Sequence, residues 1–149
     1  MKFSVKKDDF FPYSDCEHCF WTGYFTSRTG FKRLERVASS YLLAARQIES
    51  MLDYTGKLDP VQCEGPIHEL EDASGIAQHH DGVSGTAKQH VSNDYSKRLQ
   101  SGIDAASACT MRKVKRLLFG TNSSDVLQDM TFCQLLNETK CDVSQVGTV

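Results

Sequence analysis

No stretch of the 149 residues approaches the ~20 consecutive apolar residues that a membrane-spanning helix needs. Charge of one sign is also lacking. Seventeen lysines and arginines against 19 aspartates and glutamates leave a net −2, which gives no electrostatic reason to expect nucleic acid or an anionic membrane as partner. The opening Met1-Lys2-Phe3-Ser4-Val5-Lys6-Lys7-Asp8-Asp9 is too charged and too poor in apolar residues for a secretory signal peptide. A second cysteine pair is missing as well. Cys16-Glu17-His18-Cys19 has C-x-x-C spacing, but Cys63 and Cys109 stand alone, so the pair reads as loop cysteines or disulfide partners, not as half of a structural zinc site.

What is present suits one compact soluble-type domain with a core: 40% hydrophobic and 24% charged residues. Residues 1 to 26 hold many aromatics and no helical period, including Phe10-Phe11-Pro12-Tyr13-Ser14-Asp15 and Phe20-Trp21-Thr22-Gly23-Tyr24-Phe25. This segment reads as extended strand and loop, and so much apolar surface calls for a cover. From Ser27 the period changes. Phe31, Leu34, Ala38, Tyr41, Ala45, Ile48 and Leu52 form a 3-4-3-4 seam, with Lys32, Arg33, Glu35, Arg36 and Glu49 off it. Ser27 is the expected N-cap and Gly56 the stop.

A second helix is predicted from Ile67 to about His80, weakened at Gly75. Thr86 and Gln89 have the spacing of a capping box opening a third, along which Val91, Tyr95, Leu99, Ile103, Ala106, Thr110, Val114 and Leu117 recur until Gly120. Three amphipathic helices with short connections predict a mainly α fold, an antiparallel three-helix bundle. The basic run Arg112, Lys113, Lys115 and Arg116 is read as the wet face of the third helix. The polar tail carries two N-glycosylation sequons, at Asn122 and Asn137. Sequons and an even count of six cysteines point to the secretory route, so the natural amino terminus is expected to lie further upstream.

Chemistry concentrates at Gln78-His79-His80-Asp81-Gly82-Val83-Ser84-Gly85-Thr86, two imidazoles and a carboxylate where a helix gives way to a glycine-punctuated loop. These are good zinc donors, although adjacent residues on a helix do not readily face one ion. The blander reading is a helix C-terminus whose carbonyls favour histidine. The acidic groups Asp8-Asp9 and Glu69, Glu71, Asp72 read as solvated, and no two carboxyls are evidently set for glycoside hydrolysis.

The same residues carry a family resemblance. Gln78 to Val91, continuing to Asn93-Asp94-Tyr95, resembles the QHHDAVSGT-x-x-QHV-x-NDY signature of class II α-mannosidases, glycoside hydrolase family 38. Asp9 to Asp15 and Phe20 to Arg28 are similar to that family's DFFPYAD…FWTGYFTSRP segment. Phe132 to Cys141 resembles the FCQ-x-LN-x-S-x-C piece of its lysosomal branch.

The resemblance implies part of a retaining, zinc-dependent exo-mannosidase acting on mannose-containing glycans. Residues 1–26 would end a catalytic α/β barrel domain, 27–120 form the helical middle domain, and 121–149 begin a linker to a β-rich region. It implies His80 as a zinc ligand, Asp81 as a sugar-contacting carboxylate, Asp15 and Trp21 as cleft residues, and a Cys133–Cys141 disulfide. The remaining zinc ligands, the nucleophile and the general acid are expected upstream, in the remainder of the polypeptide, and the isolated chain is expected to be inactive. Lysosome, vacuole or another secretory compartment is the implied location. Two departures stand out: Thr29 replaces proline, and Ala45 and Ala106 occupy the positions of a helix-to-helix disulfide. The alternative expectation is a non-catalytic helical module that binds a partner through its aromatic segment.

Overall fold

The computed structural model describes residues 2–7, 9–54, 62–119, 133, 134 and 141. Gly56, Gly120, Asn122, Asn137 and Asp8, named above, lie outside the described residues. Three α-helices dominate: α1, Thr29–Tyr54; α2, Glu64–Ala77; and α3, Gln89–Phe119. Ahead of them the aromatic segment contains one antiparallel bridge, between Ser14 and Phe20, and a short 3-10 helix at Thr22–Phe25 that the sequence pattern did not suggest.

Cross-helix contacts give the topology. Glu69 accepts from the Ser101 hydroxyl at 2.8 Å and Cys63 is bonded to Cys109, so α2 and α3 run antiparallel. Arg46 pairs with Glu71, and Gln78 with Glu35, which sets α1 antiparallel to α2. Phe31 meets Tyr95, with ring centroids 6.1 Å apart, and Glu49 meets Lys113, so α1 and α3 are parallel. The result is an up-down-up bundle.

The seams predicted from the sequence supply the core. Phe31, Ala38, Leu70, Ala73, Ala77, Leu99, Ile103 and Ala106 form its main cluster, with Leu34, Tyr41 and Tyr95 packed against it. Small residues in this set let backbones approach closely. Gly102 carries this furthest, because a Cβ there would stand 2.7 Å from the Leu70 Cα. A second cluster holds Ala45, Cys63, Ile67 and Cys109.

Several expectations need correction. Cys63 and Cys109, whose pairing the sequence left open, form a fully buried disulfide. It lies beside Ala45 and staples the start of α2 to α3. With a sequence separation of 46, chain-entropy reasoning assigns such a closure about 4 kcal/mol. Cys16 pairs with Cys19, and Cys133 with Cys141.

Ser27 is not the N-cap of α1, which begins at Thr29; its hydroxyl is used elsewhere. The second helix starts three residues earlier than predicted, at Glu64, with Pro66 in its first turn where the missing N–H costs nothing. It also stops three residues sooner, at Ala77. Glu35 does not face solvent; it is buried and accepts from the Gln78 amide at 2.8 Å. Lys113 does not belong to a wet face either. It is 3% exposed and opposed by Glu49, because the helix turns its long side chain into the α1–α3 seam.

Two helical glycines should respond oppositely to alanine. Around Gly75 a Cβ would meet nothing within 4 Å, so Gly75→Ala should stabilise by about 0.5–1 kcal/mol. Gly102→Ala forces α2 and α3 apart and should cost about 1–3 kcal/mol. Urea unfolding of the two variants checks both signs.

The Arg46–Glu71 pair predicts a pH dependence. The hydrogen bond and charge of Arg46 hold the Glu71 carboxyl below its ordinary 4.5. Its contribution is therefore complete above pH 4.5 and is lost as pH falls through the lowered folded value. In Arg46→Gln the stability deficit should be largest near neutrality and vanish in acid. A deficit independent of pH would assign the effect to packing of the arginine stem.

Candidate functional site

The α2–α3 connection carries the histidine pair, and it is built from backbone turns. The chain leaves α2 at Ala77, and the Val83 amide donates back to the Ala77 carbonyl at 2.9 Å while Gly82 donates to His79 at 2.8 Å. Gly82 is required here, since a Cβ would sit 2.7 Å from the Ala77 carbonyl oxygen. His79, His80 and Asp81 thus lie in a tight turn and not on a helix. The helical objection to their sharing one focus does not apply.

They do converge. The Asp81 Oδ2 is 3.3 Å from His79 Nε2 and 3.7 Å from His80 Nε2, and the imidazole centroids are 4.3 Å apart. One donor atom from each residue lies within 4.8 Å of the other two. All three side chains are open, with His80 the most exposed at 86%.

The other oxygen of Asp81, Oδ1, accepts from the Thr86 hydroxyl at 2.9 Å. Thr86 and Ser84 are 2.9 Å apart, and Ser84 donates to the His80 carbonyl. The Thr86 bond, then the nearby imidazoles, hold the Asp81 carboxyl below its ordinary range. Asp81 is therefore an anion with one oxygen held by a hydroxyl and the other turned to the imidazoles.

This arrangement corrects the capping-box expectation. Thr86 serves Asp81 and does not cap α3, and the Gln89 amide donates to Asn93 at 2.8 Å. A hydroxyl and an amide three residues apart carry the same sequence signal for either use. Only the returning path of the loop distinguishes them.

The aromatic segment organises Asp15 and Trp21 separately. The Trp21 indole donates to Asp15 Oδ1 at 3.2 Å, its backbone amide to Tyr13 at 3.0 Å, and Tyr13 meets its ring edge-on at 5.2 Å. The Cys16–Cys19 disulfide closes the turn between them and ties up both sulfurs, which leaves no thiolate pair for a metal.

The two groups are linked through Ser27, Arg28 and Lys32, none of which the sequence pattern marked for this use. Ser27 Oγ and Arg28 Nη1 both donate to the Gly85 carbonyl, at 2.9 and 2.8 Å. Arg28 Nη1 also reaches the Ala87 carbonyl at 2.6 Å. Lys32 Nζ bridges the carbonyls of Ser27 and Val83 at 2.6 and 2.7 Å, and burial lowers its pKa. Two cations one helical turn apart were the available signal, but such a pair usually marks a solvated helix face.

Residues 19–117 match the family model described as the α-mannosidase middle domain. The chain belongs to the α-mannosidase middle-domain family. Lysosomal alpha-mannosidases of Felis catus and Homo sapiens are each 39% identical to it over 147 residues, 99% of this chain and 14% of each relative. An alpha-mannosidase of Arabidopsis thaliana is 42% identical over 145 residues, 95% of the chain and 14% of the relative. The chain thus spans about one seventh of the length of the curated relatives it matches.

Within this middle domain, the donor set of the turn fits a zinc ion. Imidazole nitrogen and carboxylate oxygen are the ligand types zinc takes, and here they are open and already close together.

The turn depends on a left-handed residue at Gly85, with φ +76°, where a Cβ would stand 2.5 Å from the Ser27 carbonyl oxygen. Gly85→Ala should cost about 1–3 kcal/mol and loosen the turn more than the bundle. Thermal unfolding and hydrogen exchange at the Thr86 amide would measure the two effects.

Proposed function

We propose that this chain is the middle-domain part of a zinc-dependent, retaining α-mannosidase that removes terminal α-mannose from glycans. The observation that carries this reading is the match of residues 19–117 to the α-mannosidase middle domain, with His80 and Asp81 exposed on its α2–α3 turn. In this reading His80, the most exposed donor, holds the zinc, together with ligands from the remainder of the polypeptide. Bound zinc would supply a Lewis-acid grip on mannose hydroxyls.

Asp81 has a distinct task. Its carboxylate stays ionised through the Thr86 bond and accepts hydrogen bonds from sugar hydroxyls. Asp15 and Trp21 line the sugar cleft, where an indole face and a carboxylate suit a pyranose ring and its hydroxyls. The pair of carboxyls that performs retaining hydrolysis comes from outside these residues.

The exposed aromatics Phe10, Phe11, Phe20 and Phe25 are the surface on which the rest of the enzyme sits. Among the described residues no helix is long and apolar enough to cross a membrane. A lysosomal, vacuolar or other secretory location follows from the same reading, in keeping with relatives named lysosomal.

In the complete enzyme, His80→Ala should lower zinc affinity by more than the roughly 10–100-fold typical of losing an outer partner, and most α-mannoside hydrolysis should go with it. Wild-type zinc content in that variant would rule out the ligand assignment. The isolated 149-residue chain should leave a chromogenic α-mannoside intact, and chelator-sensitive turnover by the pure chain would refute the division of labour.

A further inference from the structure

The turn that carries His79, His80 and Asp81 is not held by its own hydrogen bonds alone. Two cations around the start of α1, Arg28 and Lys32, donate to backbone carbonyls, and Arg28 Nη2 also reaches Gln89 Oε1 at 3.5 Å. Together they contact Ser27, Val83, Gly85 and Ala87, the last three all in the segment that returns from Asp81 to α3. Carbonyl-bound cations of this kind do not form surface ion pairs; they fix where backbone runs.

Local strain marks the same place. Arg28 adopts φ +51°, a left-handed conformation that costs a non-glycine residue about 1–2 kcal/mol. Gly85, which accepts from Arg28, has φ +76°. A strained arginine persists where its surroundings over-determine it, and here the guanidinium is anchored at both carbonyls flanking Thr86.

Thr86 in turn holds Asp81 through its hydroxyl, and the Thr86 and Ala87 amides donate to the Asp81 carbonyl at 3.2 and 2.9 Å. The chain of contacts runs from Arg28 and Lys32 through the 83–87 backbone to the orientation of the Asp81 carboxylate between the imidazoles.

We infer that Arg28 and Lys32 are positioning residues: a two-cation clamp, on and just before the first turn of α1, that holds the 83–87 backbone so that Asp81 and the histidine pair share one focus. The inference rests on the proposed zinc role of His80 for its effect on metal, but not for its effect on the turn. Each acts through backbone.

The test uses the full-length protein that carries this chain, with Arg28→Met, Lys32→Met and His80→Ala. Two quantities are read: hydrogen exchange at the Thr86 and Ala87 amides, and zinc retention against a competing chelator. Both methionine variants should exchange those amides about 10-fold faster and bind zinc about 10-fold more weakly, while the Leu99 and Ile103 amides of α3 stay protected. Arg28→Lys should restore part of both, because one ammonium can span two carbonyls as Lys32 does.

Unchanged exchange and unchanged zinc in both methionine variants would overturn the clamp. Loss of protection throughout α3 would also overturn it, since the cations would then be general stabilisers. If His80→Ala keeps its zinc while Arg28→Met still frees the turn, the metal reading fails and the clamp stands.

Discussion

The near-contact of α2 with α3, where Gly102 lies against the Leu70 backbone, is the constraint from which the rest of the architecture follows. The sequence between the two helices is short as well, only the residues from Gln78 to Lys88. The chain must reverse within the residues between Ala77 and Gln89, and it does so through backbone turns at His79–Gly82 and Gly82–Gly85. The reversal puts three chemically active side chains on consecutive positions of a turn, where they point to one focus. On a helix they would have fanned out by about 100° each.

The bundle is tied at both ends of that hairpin. Far from the turn, the buried Cys63–Cys109 bridge joins the start of α2 to the later part of α3. Near it, Gln78 reaches the buried Glu35 of α1, and Ser27, Arg28 and Lys32 bond the returning backbone. The aromatic segment carrying Asp15 and Trp21 joins directly to α1 through the same residues that hold the histidine turn, so the two groups proposed to meet the sugar share one anchor.

Much of the helical core was legible because burial follows a period. Phe31, Ala38, Ala45 and Leu52 on one seam, and Leu99, Ile103 and Ala106 on another, recur at threes and fours and are buried. The QHHD–VSGT run was legible for a different reason: it is a dense family signature, so the type and order of its residues carry information that period does not. Side chains with two possible uses were not legible. Thr86 and Gln89 fit a capping box in one dimension, yet the threonine turned to Asp81 and the glutamine to Asn93. Glu35 and Lys113 look like surface charges by type, and each was drawn inward by a partner from a distant part of the chain. The Cys63–Cys109 pairing was equally hidden, because spacing along the chain says nothing of which helix faces which.

The sequence by itself determined three amphipathic helices, the absence of any long apolar run, and membership in a family with a metal-suited histidine pair, because periodicity, composition and motif are local properties. The tertiary structure alone decided that His79, His80 and Asp81 come to a common focus, that two cations bond the backbone which holds them there, and that a disulfide staples α2 to α3. Each of these depends on the path of a turn or on the facing of two helices, and both are fixed by packing between segments far apart in the chain.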